Sequence, residues 1–253
     1  MCAGVFVDPD TAFIGLYAVR PEHQGLGIGI RMWQKIMEHV GDRNAGLYAV
    51  PEHLHTYRDL AGFSIEDPIK MIVYESDCIL TTEDLVKAIG NVFVTEITDQ
   101  TFDRVARYDR GVTYVDRSRL LRSNFNQKET LSLVAFETTR SRDGSDEASE
   151  VRKVVGYLSF RVNNIGKAMA GPLYADNDAV AELLMNEAIC KFPVASAKGL
   201  LFMTFDSSPG GIRIAEKLKL DYSEHLPRLF THKIPVADFD RIYCISSPNF
   251  SPY

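Results

Sequence analysis

The chain of 253 residues is short of several things, and each shortage removes a class of function. It has four cysteines, Cys2, Cys78, Cys190 and Cys244, with no CxxC pair among them. That spacing fits reduced thiols in a cytoplasmic protein better than a disulfide framework or a zinc site. Positive charge is not in excess: Lys and Arg number 28 against 34 Asp and Glu, for a net charge of -6 and a pI near 5.6. No basic face is therefore expected, and neither nucleic acid nor an anionic membrane is the expected partner. No apolar run approaches the roughly eighteen residues of a membrane span. The opening MCAGVFVDPD lacks the basic flank and apolar core of a signal peptide. His53 and His55 form a His-x-His pair, but no carboxylate or cysteine completes a site, so no metal is expected. What is present is an ordinary core composition, 45% apolar and 25% charged.

One stretch is instead rich. VRPEHQGLGIGIRMWQKIMEHV (19–40) holds Gly25, Gly27 and Gly29 just ahead of an apolar periodic run. Glycine in a helix interior costs roughly 1 kcal/mol against alanine, so a cluster at a helix start points to close approach to the main chain. Before it, AFIGLYAV (12–19) is short, apolar and bounded by turn residues, which predicts a buried strand. After it, Ile28, Met32, Trp33, Ile36, Met37 and Val40 recur at spacings of three and four, one face of a helix, with Gly41 placed as its C-terminal cap. AGLYAV (45–50) and IKMIVYE (69–75) read as strands, and HLHTYRDLAGF (53–63) between them as a short helix stopped by Gly62. This alternation predicts an α/β layer with some parallel pairing.

The loop lacks the third glycine of a dinucleotide fingerprint and the Lys-Ser/Thr of a Walker loop. Gln-Gly-x-Gly-x-Gly joining a strand to a helix start remains. Backbone N–H groups there lack helical partners and lie at the positive end of the helix dipole, which binds phosphate without a lysine. The plainer alternative is a turn that merely tolerates glycine.

LYAVRPEHQGLGIGIRMW resembles the acyl-CoA motif of the GNAT superfamily of N-acyltransferases, through Val19, Pro21, Gln24, Gly27 and Gly29. The resemblance implies a coenzyme A diphosphate cradled by Gln24, Gly25, Leu26, Gly27, Ile28 and Gly29. It also implies that Leu16, Tyr17, Ala18 and Val19 splay from the neighbouring strand and pair with the pantetheine arm. YRDLAGF resembles a later helix of the family, which makes Tyr57 the candidate general acid for the leaving thiolate; its hydroxyl ordinarily titrates near 10. The plainer alternative is that Tyr57 only packs. No general base is named. Phe13 and Ile14 fill the part of the strand where a family carboxylate often stands, Asp8 and Asp10 suit a turn, and His23 suits a solvated loop.

The second half repeats the plan. AMAGPLYADNDAVAELLMNEAICKF (168–192) and residues 198–234 again read strand, helix, strand, helix, strand, with Asp176, Asn177 and Asp178 where the first copy has glycines and Gln24. Acidic groups there repel a diphosphate, and Asp178 also suits N-capping. Residues 92–97, two helices within 101–125, and a hairpin joined by an apolar-poor, mobile connection (140–150) precede that copy; residues 240–246 are expected to close the sheet. Tyr108, Asp109, Arg117 and GPLYAD resemble a GNAT-like C-terminal domain.

The expected architecture is an α/β (α+β mixed-sheet) tandem: an incomplete GNAT part (1–80), a linker (81–91) and a GNAT-like domain without a diphosphate loop (92–253). The first copy lacks the family's opening strand and helices, as in a protein cut at Met1 or a shortened natural form. An uncovered sheet edge invites association, so homodimer formation is left open. The expected chemistry is transfer of an acetyl or other acyl group from coenzyme A to an amine by direct attack. The alternatives are a catalytically weak acyl-CoA-binding or partner-binding descendant, and peptide recognition by the second domain.

Overall fold

The computed structural model describes residues 1–140 and 150–253; residues 141–149 of the connection expected at 140–150 lie outside the described residues. The chain opens with β1 (Ala3–Phe6), antiparallel to β2 (Thr11–Gly15), followed by α1 (Ile28–Val40), β3 (Asn44–Tyr48) and β4 (Ile65–Glu75). After an irregular segment come β5 (Val92–Glu96), α2 (Asp99–Thr113), α3 (Ser118–Phe125), β6 (Thr130–Arg140) and β7 (Glu150–Val162). Then β8 (Ala168–Ala175), α4 (Asp178–Lys191), α5 (Pro193–Lys198), β9 (Leu200–Phe205), α6 (Pro209–Lys217), β10 (Asp221–Phe230) and β11 (Ile242–Cys244) complete the order. The first and second copies thus show the same succession of strands and helices.

All strands among the described residues belong to one mixed sheet, ordered β1-β2-β3-β10-β4-β9-β8-β7-β6-β5, with β11 paired to β8. Its centre is an exchange. β2 and β3 are parallel, and so are β8 and β9, but the third strand of each copy sits with the other copy. β10 lies between β3 and β4, and β4 lies between β10 and β9, all antiparallel. The sequence-order division at residues 80 and 92 therefore does not coincide with the hydrogen-bonding pattern. The linker is packed as well: Ile79 and Leu85 are buried beside α4, and Val86 N–H donates to the Glu182 carboxylate at 3.1 Å.

Alternation along β2 separates two cores. Ala12 and Ile14 meet α1 through Val40, Trp33, Ile36 and Met37. Phe13 points to the other face, where α2, α3 and Tyr253 pack. Each fully buried apolar side chain of this kind contributes about 1.5–3 kcal/mol.

Three expectations are corrected. The strand expected over 12–19 ends at Gly15, because Leu16 adopts φ +57 and turns the chain out of the ladder. The helix expected over 53–63 runs unbroken from Pro51 to Leu60 but is irregularly wound, with one winding at Pro51–His53 and another at Thr56–Leu60. The second is wound wide, Ala61 N–H reaching Thr56 O at 3.0 Å. Residues 240–246 do not close an edge. β11 enters the gap where β8 and β9 part after Met169 and Leu201, pairing with β8 while Ile245 N–H donates to Met203 O at 2.9 Å.

Candidate functional site

In the first copy the corresponding gap has no inserted strand among the described residues. Registered pairing of β2 with β3 stops at Phe13 opposite Gly46, although β3 continues to Tyr48. Beyond Leu16, residues Tyr17, Ala18 and Val19 have no partner on β3; Ala18 N–H bonds Met1 O on the far side at 2.8 Å. A short turn, Pro21–His23, follows, and Gln24 folds its side-chain amide back onto Val19 O at 3.0 Å. This bond sets the loop against the segment it leaves.

Gly25 and Gly27 carry φ +75 and +71, a region costly for other residues, and a Cβ at either would meet nothing within 4 Å. Gly27 is the N-cap of α1 and supplies no side-chain bond; no acidic residue occupies the first turn. The end of α1 is thus a set of backbone donors with a positive dipole and open space in front, as a diphosphate requires. The donor set fits an acyl-CoA.

Between this loop and the turns at 51–60 lies a groove of about 910 Å³. It is lined by Tyr17, Ala18, Val19, Gln24, Gly25, Gly27, Ile28, Gly29 and Tyr57 of the expected residues. Leu16 and Leu26 do not line it: the Leu16 N–H is bonded to Asn249 Oδ1 at 3.2 Å and Leu26 is 63% exposed. Residues not assigned to the site from the sequence complete the walls, among them Trp33, His53, Leu60 and Ala61. Helical spacing carried the signal for these, since Trp33 stands four after Gly29, and His53 and Ala61 stand four on either side of Tyr57. The Trp33 ring forms the floor, 5.6 Å from Tyr17, 5.7 Å from Tyr57 and 5.9 Å from Phe63 between centroids.

Tyr57 is half-buried beside Trp33. Burial, with smaller contributions from Tyr17 and Cys2, raises its pKa, so the hydroxyl stays protonated through neutral pH. Asp8 accepts from Asp10 N–H at 2.8 Å and makes the turn between β1 and β2. His55 faces Asp59 at 3.3 Å, not His53. Among the described residues no group of three or more His, Cys, Asp or Glu could hold a metal, and no helix is long and apolar enough to cross a membrane.

The second copy is closed at the same points. Asn177 caps α4 by accepting from Val180 N–H at 3.1 Å. Asp178 is engaged by Arg213 and by the Tyr243 hydroxyl, and Asp176 by Tyr108, Lys153 and Arg241.

Residues 1–63 match the Acetyltransferase (GNAT) family. Over 238 residues the chain is 26% identical to a protein named holothin acyltransferase from Pseudoalteromonas sp. (strain SANK 73390), covering 94% of this chain and 72% of that one. A candidate acetyltransferase from Pyrococcus horikoshii superposes with a TM-score of 0.69 at 18% identity, over 98% of this chain and 75% of that one. A tandem GNAT protein from the clavulanic acid biosynthesis pathway does so with a TM-score of 0.54 at 15% identity, over 87% and 74%. Residues 1–63 thus match the GNAT family, the chain as a whole is similar to an acyltransferase, and it shares the mixed-sheet fold of these acetyltransferase structures.

Proposed function

We propose that the chain transfers an acetyl group, or another acyl group, from coenzyme A to an amine by direct attack in the groove between the 17–30 segment and Tyr57. One observation carries the reading: the uncapped end of α1, with Gly25 and Gly27 facing open space, lies at one side of a groove whose other wall holds a protonated tyrosine. In this reading the chain divides in sequence order into 1–80, 81–91 and 92–253 with the coenzyme site in the first copy, and the repeated order of elements supports it. A cytoplasmic setting accords with four free cysteines among the described residues.

Acyl-CoA supplies an activated acyl carbon and a thiol leaving group. The end of α1 holds the diphosphate, and the Tyr17 backbone and the Val19 N–H, left unpaired while Ala18 bonds Met1 and Val19 O accepts from Gln24, are offered to the arm. Backbone donors there stabilise charge that develops on the carbonyl oxygen, and the groove holds the reactants together. The amine nitrogen forms the new C–N bond as the C–S bond breaks, the electron pair leaving with sulfur. Tyr57 gives its proton to that sulfur; the nitrogen yields its extra proton to water, and Tyr57 is reprotonated from solvent.

Calorimetric titration with acetyl-CoA and free CoA tests the coenzyme site. An amine screen read by thiol release, with holothin as its first member because the relative's name specifies it, tests the transfer. Coenzyme binding without amine-dependent thiol release would favour the binding-protein alternative. Tyr57→Phe is expected to lower kcat on the order of a hundredfold while leaving acetyl-CoA affinity nearly unchanged; equal kcat in the folded variant removes the general-acid role.

A further inference from the structure

The three glycines of the loop are not alike. Gly25 and Gly27 have positive φ, and a Cβ on either would meet nothing within 4 Å. Gly29 stands inside the first turn of α1 without a positive φ, so its backbone does not call for glycine. Its missing side chain is explained by a neighbour. A Cβ there would come within 2.5 Å of the Tyr17 hydroxyl oxygen, while Tyr17 Cζ would stand at 3.5 Å, an ordinary contact. The phenol of Tyr17 is therefore seated on the start of the helix, where any other residue type at position 29 would carry a carbon.

Tyr17 reaches that place because Leu16 turns the chain out of the ladder and the Ala18 N–H is fixed to Met1 O. The ring lies edge-on to Trp33, centroids 5.6 Å apart and planes at 82°. Clamped between Trp33 and Gly29, it still lines the groove and is 39% exposed. Its hydroxyl has no hydrogen-bond partner among the described residues. A phenol O–H is a donor. It stands beside the orphan N–H groups of the first turn, at the positive end of the helix dipole, where α1 has no side-chain cap of its own.

We propose that the Tyr17 side chain is a coenzyme-binding group: its hydroxyl donates to a diphosphate oxygen held at the start of α1, and residue 29 is glycine to leave that hydroxyl room. The proposal rests on the acyl-CoA reading of the groove and adds a side-chain donor to a cradle otherwise built from backbone. Hydrogen bonds to an ionised acceptor are the strong ones, and the clamped ring holds this donor in place before the ligand arrives. The donor class so favoured is a thioester carried on a nucleoside diphosphate, as opposed to one on a bare pantetheine arm.

The test is a double-mutant cycle of wild type, Tyr17→Phe, Gly29→Ala and the pair together, each checked for folding by thermal unfolding. Acetyl-CoA affinity is measured by calorimetry, and ADP, a diphosphate without the arm, by displacement of acetyl-CoA. Tyr17→Phe is expected to weaken both ligands by about tenfold, the effect of one hydrogen bond to a charged group. Gly29→Ala displaces the hydroxyl and is expected to weaken both to a similar extent, in a helix that alanine suits better than glycine. In the Tyr17→Phe background the atom at 2.5 Å is gone, so Gly29→Ala is expected to change affinity by less than about twofold there. Unchanged acetyl-CoA affinity in Tyr17→Phe, or in Gly29→Ala should Tyr17→Phe fail to fold, overturns the proposal. Weakening of acetyl-CoA without weakening of ADP also overturns it, because the hydroxyl would then serve the arm. Equal loss from Gly29→Ala in both backgrounds overturns it as well, since the added carbon would itself obstruct the ligand. Failure of wild type to bind acetyl-CoA would instead overturn the coenzyme site on which the proposal rests.

Discussion

The starts of α1 and α4 occupy equivalent places in two copies of one plan, yet they are opposites. α1 begins on a glycine with no side-chain cap, buries only Val40 fully and faces an open groove. α4 begins on a capped asparagine between two paired aspartates and buries nine of its fourteen residues. Where β2 leaves β3 the gap stays open to the groove; where β8 leaves β9 the gap is filled by β11. The contrast teaches that one succession of elements serves two ends, depending on what stands at the helix start and in the strand gap. Unsatisfied backbone groups bind a ligand, and the same groups satisfied by the chain itself become core.

The comparison is broken most directly at Gly27. Gly27→Asp adds a Cβ at a left-handed position and a negative charge beside the expected diphosphate. Loss of acetyl-CoA binding by calorimetry is expected, in a protein that still folds because the loop is exposed. Unchanged affinity would show that the open helix end is not the coenzyme site and would erase the contrast with α4.

The next largest effect is expected on stability alone. Asp109 accepts from Arg117 in a buried pair, both side chains nearly inaccessible, with the Tyr157 and Tyr174 hydroxyls joined to it. Asp109→Ala leaves a buried guanidinium without its counter-charge, which typically costs about 3–5 kcal/mol. A matching loss in denaturant unfolding, with acetyl-CoA affinity little changed in the folded fraction, would show the second copy acting as scaffold. A coenzyme affinity that fell in proportion would blur the division of labour.

The smallest effect concerns Asp176. Burial pushes its carboxyl up, but hydrogen bonds from Lys153 and Tyr108 and the charge of Arg241 outweigh it and lower the pKa. A folded pKa below the unfolded value of about 3.9 means that the stabilisation is fully present above that value and is lost as pH falls through the folded pKa. Asp176→Asn should therefore lower stability by a constant amount at neutral pH, with the difference from wild type shrinking below about pH 4. A difference that persisted undiminished at lower pH would assign the loss to packing, not to the ion pairs.

Much of this was readable from local pattern. The face of the turn at Tyr57 follows helical spacing: Leu54, Tyr57, Arg58 and Ala61 are half-buried, while His55, Thr56, Asp59 and Leu60 are exposed. The glycine loop and its helix lie where composition placed them. Local pattern failed at Leu16 to Val19, because an apolar run reads as buried strand, whereas Tyr17 and Ala18 are exposed beyond a left-handed residue. It also failed wherever the answer lay in distant pairing. Nothing in DRIYCIS distinguishes an edge strand from a wedge in a gap, nothing in β10 announces that its neighbour is β3, and nothing near Gly15 names Asn249 as its contact.

The exchange of β4 and β10 imposes a timetable on synthesis. A ribosome delivers β3 and β4 early, but the strand that must lie between them, Asp221–Phe230, emerges almost a whole chain later. Through that interval β3 and β4 have unpaired inner edges, the condition in which nascent sheets pair with the wrong neighbour. A polypeptide severed anywhere from residue 76 to 220 consequently yields not two small proteins but two parts of one. Neither fragment closes its own sheet, and the pair regains the native arrangement only by meeting, so co-expressed halves are expected to complement each other where separate halves do not.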